Sequence, residues 1–246
     1  MGSVSRSESY RNVLATPPPA GPSICATCHR GTSGYVRCYQ CNKHREVYGD
    51  ELADVVVPIS LAISGGQLTR ELSGYKYNDS PQVRKEFAYN LASTLAVFLA
   101  THEGCLATAV GVRVFDLVTI VPGTRQRSGQ HPLAEILGKT VMRTSGRFAD
   151  TMAATGGNDH LTVRPGSVTV HTTVAGRVVL LVDDTWTSGA SLQSAAIALK
   201  RAGARRVAGL VIGRRLDADD LTAAEVLEFA RTHQFGWDVC VLCRTA

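Results

Sequence analysis

The chain has 246 residues, of which 44% are hydrophobic and 19% charged, and its formal net charge is +5. That length can bury a large core without disulfide staples, and the composition excludes a wholly disordered chain. The longest uncharged apolar stretch, Phe87 to His102, is interrupted by Asn90, Ser93 and Thr94. It falls short of the ~20 residues a membrane helix needs. The opening MGSVSRSESYRNV has no apolar signal core, so a soluble, cytoplasmic protein with no membrane partner is expected. Arginines outnumber lysines 21 to 5. The planar guanidinium fork suits phosphate oxygens, although a GC-rich genome gives the same bias.

Residues 1–24 are polar and proline-rich (ATPPPAGPS) and are expected to form a disordered or extended tail. A small module follows at 25–45, where Cys25, Cys28, Cys38 and Cys41 are spaced C-x2-C-x9-C-x2-C. Two tight turns, each offering two thiolates, can close a tetrahedral site, so a structural Zn2+ ion is expected. Two disulfides or free thiols are the alternatives, and His29 and His44 lie close enough to substitute for a cysteine.

From residue 46 onward short apolar runs alternate with helical spacing. VVVPIS is an apolar run, followed by a Gly-Gly turn and LTRELSGYKYND. Residues 82–102 predict a helix with Phe87, Leu91, Leu95, Phe98 and Leu99 on one face. Val114–Val121 predicts a strand, and Pro132–Leu137 the start of a helix. The Gly-rich stretch 144–168 reads as a mobile loop. Strands are predicted at Val168–Thr172, Val178–Val182 and Val207–Ile212, with helices at Ser191–Ala202 and Thr222–Thr232. This order predicts an α/β fold, a parallel sheet flanked by helices, carrying a small N-terminal zinc knuckle. Cys105 reads as a core residue. Cys240 and Cys243 read as buried structural cysteines or, if the chain ends meet, as further zinc ligands.

VLLVDDTWTSGAS, residues 179–191, carries the most chemistry. A buried strand ends in Asp183 and Asp184, and a small, hydroxyl-rich loop of Thr185, Trp186, Thr187, Ser188, Gly189, Ala190 and Ser191 leads into a helix. Amides at a helix N-terminus bind phosphate, and paired carboxylates at the carboxyl edge of a sheet accept from a cis-diol. Together they describe a site for a 5-phosphoribosyl group. The bland alternative is that the two acids merely end a strand and cap a helix. No G-x-x-x-x-G-K-[ST] or G-x-G-x-x-G is present, which argues against P-loop and Rossmann chemistry.

VVLLVDDTWTSGAS resembles the phosphoribosyl-pyrophosphate (PRPP) signature of type I phosphoribosyltransferases, and the added four-cysteine module resembles their ComF-like branch. The resemblance spans roughly residues 25–215. It implies a parallel sheet with a hood from residues 48–80 and the C-terminal part. It also implies that Asp183 and Asp184 hold the ribose hydroxyls while residues 185–191 hold the 5-phosphate. VTIVPGTRQRSGQHPL is similar to the family's pyrophosphate loop, with RSGQH where the family has RGFNQ. Val121, Pro122, Gly123, Thr124 and Arg125 would then cup the diphosphate, with Arg127 nearby. The flexible catalytic loop would be 144–168, where Arg147, His160 and Arg164 replace a lysine that some relatives use. The implied activity is transfer of phosphoribose from PRPP–Mg2+ to an unidentified acceptor, with Asp184, Asp183 and Arg125 as catalytic residues. Trp186 would wall the acceptor pocket or pack under the hood. A DNA-handling accessory role, suggested by the basic doublets Lys200-Arg201, Arg205-Arg206 and Arg214-Arg215, is the first alternative. A non-catalytic PRPP or nucleotide sensor is the second. A homodimer is compatible with either.

Overall fold

The structure, a computed structural model, describes residues 7–123, 130–156 and 161–243. Its centre is a sheet of four parallel strands: β1 (Val55–Ile63), β2 (Leu117–Ile120), β5 (Val178–Trp186) and β6 (Arg206–Leu216), in the order β1-β6-β5-β2. β3 (Met152–Ala154) and β4 (Val168–Val170) form a separate antiparallel pair. The helices are α1 (Tyr39–Tyr48), α2 (Gln67–Tyr77), α3 (Pro81–Ala109), α4 (Pro132–Glu135), α5 (Met142–Ser145), α6 (Ala190–Arg201) and α7 (Ala224–Thr232).

The strands are continuous Val/Leu runs because both faces are covered. Along β5, Val178, Leu180 and Val182 pack with Leu91, Leu95, Phe98 and Leu99 of α3. The alternate residues, Val179 and Leu181, pack with Leu192, Ala195 and Leu199 of α6. One strand therefore serves two cores, as the two-residue period of a strand requires. Pro58 has no amide to donate, and β1 tolerates it because, among the described strands, β1 lies at the edge of the sheet beside β6.

α3 starts at Ser80, whose side chain accepts from Val83 N, with Pro81 in the first turn. It extends past the predicted His102 to Ala109, since Leu106 and Ala107 continue the buried stripe. By length and composition it is long and apolar enough to cross a membrane. Here its apolar face fills the core, and its buried Glu103 pairs with Arg143 and Arg147.

Two expectations need correction. Residues 7–24 do not form a loose tail. Tyr10 and Leu14 are buried in the main core, and Tyr10 Oη donates to the buried Glu71 at 2.7 Å. Leu61 N donates to Ala15 O at 2.9 Å, and Ala15 N donates to Ser60 Oγ. The segment thereby covers part of β1's outer edge, where an open strand would expose unpaired backbone. The stretch 144–168 is not a single loop either: it holds β3 and a 3-10 turn, Pro165–Ser167, and ends on β4. Met152, Val163 and Val168 give it buried anchors that its high glycine content obscures.

Candidate functional site

A cavity of about 240 Å³ opens at the carboxyl ends of β2 and β5. Val121, Pro122 and Gly123, directly after β2, form one wall. Asp183 through Leu192 form the floor and the opposite wall, and Lys76 and Tyr77 close the side from the end of α2. The cavity therefore gathers every phosphoribosyl-loop residue named from sequence, Asp183 to Ser191, with three residues of the expected pyrophosphate loop. Thr124, Arg125 and Arg127 lie outside the described residues, as does His160.

The two acids are not equivalent. Asp184 is buried, and its Oδ2 accepts a 2.5 Å hydrogen bond from Tyr75 Oη while pairing with the Lys76 ammonium. Asp183 is half-buried, and its Oδ1 accepts from Asp184 N at 2.9 Å. Burial pushes the Asp183 carboxyl up to about 7, the neighbouring Asp184 charge adds to this, and Lys76 opposes it. The end of α2 carries the stretch GYKYND, residues 74–79. Its Tyr75 and Lys76 hold Asp184, a contact across 109 positions in the chain that no local pattern announces.

The loop's shape rests on Gly189 and Trp186. Gly189 caps α6 at φ +84°, and a Cβ there would come within 2.1 Å of the Trp186 ring. Trp186 is 2% exposed: it packs within the α6-side core beneath the loop and also contributes to the cavity lining. Ser188 Oγ accepts from Ala190 N at 3.2 Å. Ala190, Ser191 and Leu192, the first turn of α6, line the cavity, so the positive end of α6 faces it.

Two of the expected loop residues stand elsewhere. Arg147 pairs with Glu103 and donates to Phe115 O at 3.0 Å, tying its segment to α3. Arg164 N donates to Ser194 Oγ at 2.8 Å, and the residue does not line the cavity. The basic doublets are largely engaged. Lys200 and Arg206 pair with Asp54, Arg201 pairs with Glu51, and Arg214 is buried.

Cys25, Cys28, Cys38 and Cys41 converge, all four Sγ atoms lying within 4.8 Å of one another and all four residues buried. Cys25 and Cys28 sit on a turn closed by His29 N to Cys25 O, and Cys38 is the N-cap of α1. Two donors already point at these sulfurs: Thr27 N at 3.4 Å from Cys25 Sγ, and Arg214 Nη2 at 3.7 Å from Cys28 Sγ. Protons are shared unequally among them. Hydrogen bonds from Cys28, Cys38 and Cys41 hold Cys25 far below the usual thiol range, whereas its bond to Cys25 pushes Cys41 far above it. His29 is not a member of the group. Its Nδ1 lies 2.9 Å from Pro18 O, and burial lowers its pKa. His44 is likewise outside it.

A second group of four consists of His102, Cys105, Cys240 and Cys243. The C-terminal pair thus meets α3 rather than the N-terminal module, and Cys105, half-buried and packed against the main core, has its sulfur 3.3 Å from that of Cys243. Among the described residues, two groups of four can therefore hold a metal ion.

No family model and no curated protein sequence matches the chain. The function therefore rests on the chemistry of the site.

Proposed function

We propose that this chain is a phosphoribosyltransferase of the type I, ComF-like kind, binding PRPP with its Mg2+ and releasing pyrophosphate as phosphoribose passes to a nucleophile. The observation that carries this reading is the shared cavity. It sets an acidic pair, a hydroxyl-rich loop at a twelve-residue helix and the Val121–Gly123 turn around one volume.

Asp183 presents the carboxylate that accepts from the ribose 2′ and 3′ hydroxyls. Tyr75 and Lys76 hold Asp184 beside it, so that Asp184 fixes the floor instead of moving a proton. Residues 185–191 supply hydroxyl and amide donors to the 5-phosphate, strengthened by the α6 dipole. Val121, Pro122 and Gly123 form the turn that receives the diphosphate, with Arg125 following in sequence. In the reaction the bond from C1 to the diphosphate oxygen breaks, the leaving group keeps the electron pair, and the acceptor's lone pair forms the new bond. Positive charge develops at C1 and the ring oxygen, as in glycoside transfer. Donors aimed at the departing diphosphate stabilise its growing charge.

The same reading places a structural zinc ion among Cys25, Cys28, Cys38 and Cys41. The donor set fits, because soft thiolates in tetrahedral array select zinc. Arg214 fits too. This buried cation donates to Cys28 O, Trp186 O and Arg215 O and to Cys28 Sγ, and a zinc–tetrathiolate centre carries the negative charge it needs. Zinc here supplies no chemistry to the reaction. It fixes a turn that Arg214 connects directly to Trp186 under the phosphate loop.

Pyrophosphate release from PRPP–Mg2+ in the presence of ammonia, amines and nucleobases tests the proposal. Release with at least one acceptor, reduced by at least ~100-fold in Asp183→Asn, is expected. PRPP binding with no release from any acceptor would make the chain a sensor instead.

A further inference from the structure

We infer that His102, Cys105, Cys240 and Cys243 form a second zinc site, one that clamps the C-terminal segment onto the core helix α3. The four donor atoms, one Nδ1 and three Sγ, lie within 4.8 Å of one another. Cys105 Sγ is 3.3 Å from Cys243 Sγ, which is 3.2 Å from Cys240 Sγ. His102 Nδ1 is 3.4 Å from Cys243 Sγ and 3.7 Å from Cys105 Sγ. Around a tetrahedral zinc ion, bond lengths near 2.3 Å to sulfur and 2.0 Å to nitrogen put neighbouring ligands ~3.5–3.8 Å apart. The two sulfur–sulfur spacings reach that range with shifts of about half an ångström, and the two nitrogen–sulfur spacings already lie close to it.

Chain geometry supports the same assignment. His102 and Cys105, three residues apart on α3, project from one helical face. Cys240 and Cys243 straddle a turn closed by Cys243 N to Cys240 O at 3.1 Å. Each pair therefore offers two ligands from a rigid piece of backbone. The imidazole is oriented from behind, since its Nε2 lies 2.9 Å from the Trp237 carbonyl oxygen. A carbonyl accepting from Nε2–H leaves the Nδ1 lone pair facing the sulfurs, the usual outer-shell arrangement of a zinc-bound histidine. A disulfide would use two of the three sulfurs and give neither the third thiol nor this anchored imidazole a role. Binding releases the three thiol protons and leaves a centre of charge −1. The clamp would hold residues 233–243, whose Phe235, Trp237 and Val241 pack against the core that α3 builds.

The test is metal analysis of the full chain, purified reduced and loaded with Zn2+ or Co2+, for wild type, Cys240→Ser/Cys243→Ser and Cys25→Ser/Cys28→Ser. Two zinc ions per chain are expected in wild type and one in each double variant. In the Cys25→Ser/Cys28→Ser protein, the remaining Co2+ should give the spectrum of a three-sulfur, one-nitrogen site. A single wild-type zinc lost in Cys240→Ser/Cys243→Ser also supports the proposal. A single zinc retained in that variant overturns it. Should a variant not fold, thiol counting on native zinc-loaded wild type decides the matter: protection of Cys105, Cys240 and Cys243 from alkylation supports the site. Their free reaction, or a disulfide among them by mass, contradicts it.

Discussion

At the scale of single residues, the site turns on the difference between two adjacent acids. Desolvation and the adjacent Asp184 charge push the Asp183 carboxyl up to about 7, so it gains most of its charge between pH 6 and pH 8. If its carboxylate grips the ribose hydroxyls, PRPP–Mg2+ affinity should rise about tenfold between pH 6 and pH 8. Calorimetric titrations across that range should show the rise in wild type and a flat profile in Asp183→Asn. Folding stability moves in the opposite direction. The folded-state pKa lies above the ordinary 3.8, so the stabilisation from protonated Asp183 is fully present below about 4 and is lost as pH rises through 7. Lys76 is the counter-charge to Asp184. Lys76→Met leaves a buried carboxylate without its cation and should cost about 3 kcal/mol in chemical denaturation.

At the scale of elements, the β5 loop and α6 form one unit, and Gly189 is its hinge point. Gly189→Ala forces a positive φ on an alanine and drives its Cβ into the Trp186 ring. It should cost at least ~2 kcal/mol and abolish PRPP binding, whereas Thr187→Ala on the exposed rim should leave stability within ~0.5 kcal/mol. This unit was legible from sequence because strand, turn and helix are consecutive and their signals local: apolar run, acidic pair, small hydroxyl residues, helical spacing. α2 was not. Its stretch, LTRELSGYKYND, buries Leu68, Leu72 and Tyr75 at helical spacing, but the residues that give it a purpose, Glu71, Tyr75 and Lys76, act through partners far away in sequence. The same limit applied to Cys105, whose neighbour Cys243 is 138 positions away. The 144–168 stretch misled for another reason: high glycine content masks three buried anchors, and the antiparallel pairing of β3 with β4 is not local.

At the scale of the whole molecule, both terminal segments act as fasteners on a four-stranded sheet. The N-terminal segment lies against β1 and satisfies the buried Glu71, which also accepts from Gln67 and Asn90. Removing residues 1–16 deletes Tyr10 and Leu14 from the core and exposes the strand edge. A loss of roughly 3–5 kcal/mol and concentration-dependent association are expected, measurable by denaturation and light scattering. The proline-rich composition concealed this. Prolines disfavour helix and sheet but do not prevent an extended segment from packing.

The central claim is that the cavity at the carboxyl ends of β2 and β5 is a phosphoribosyl site. Calorimetric titration of the full chain with PRPP and Mg2+ at pH 8, beside Asp183→Asn, tests it most directly. One saturable PRPP site per chain, lost in the variant and competed by pyrophosphate, is the expected result. No heat and no competition at any Mg2+ concentration, from protein shown to be folded, would contradict it.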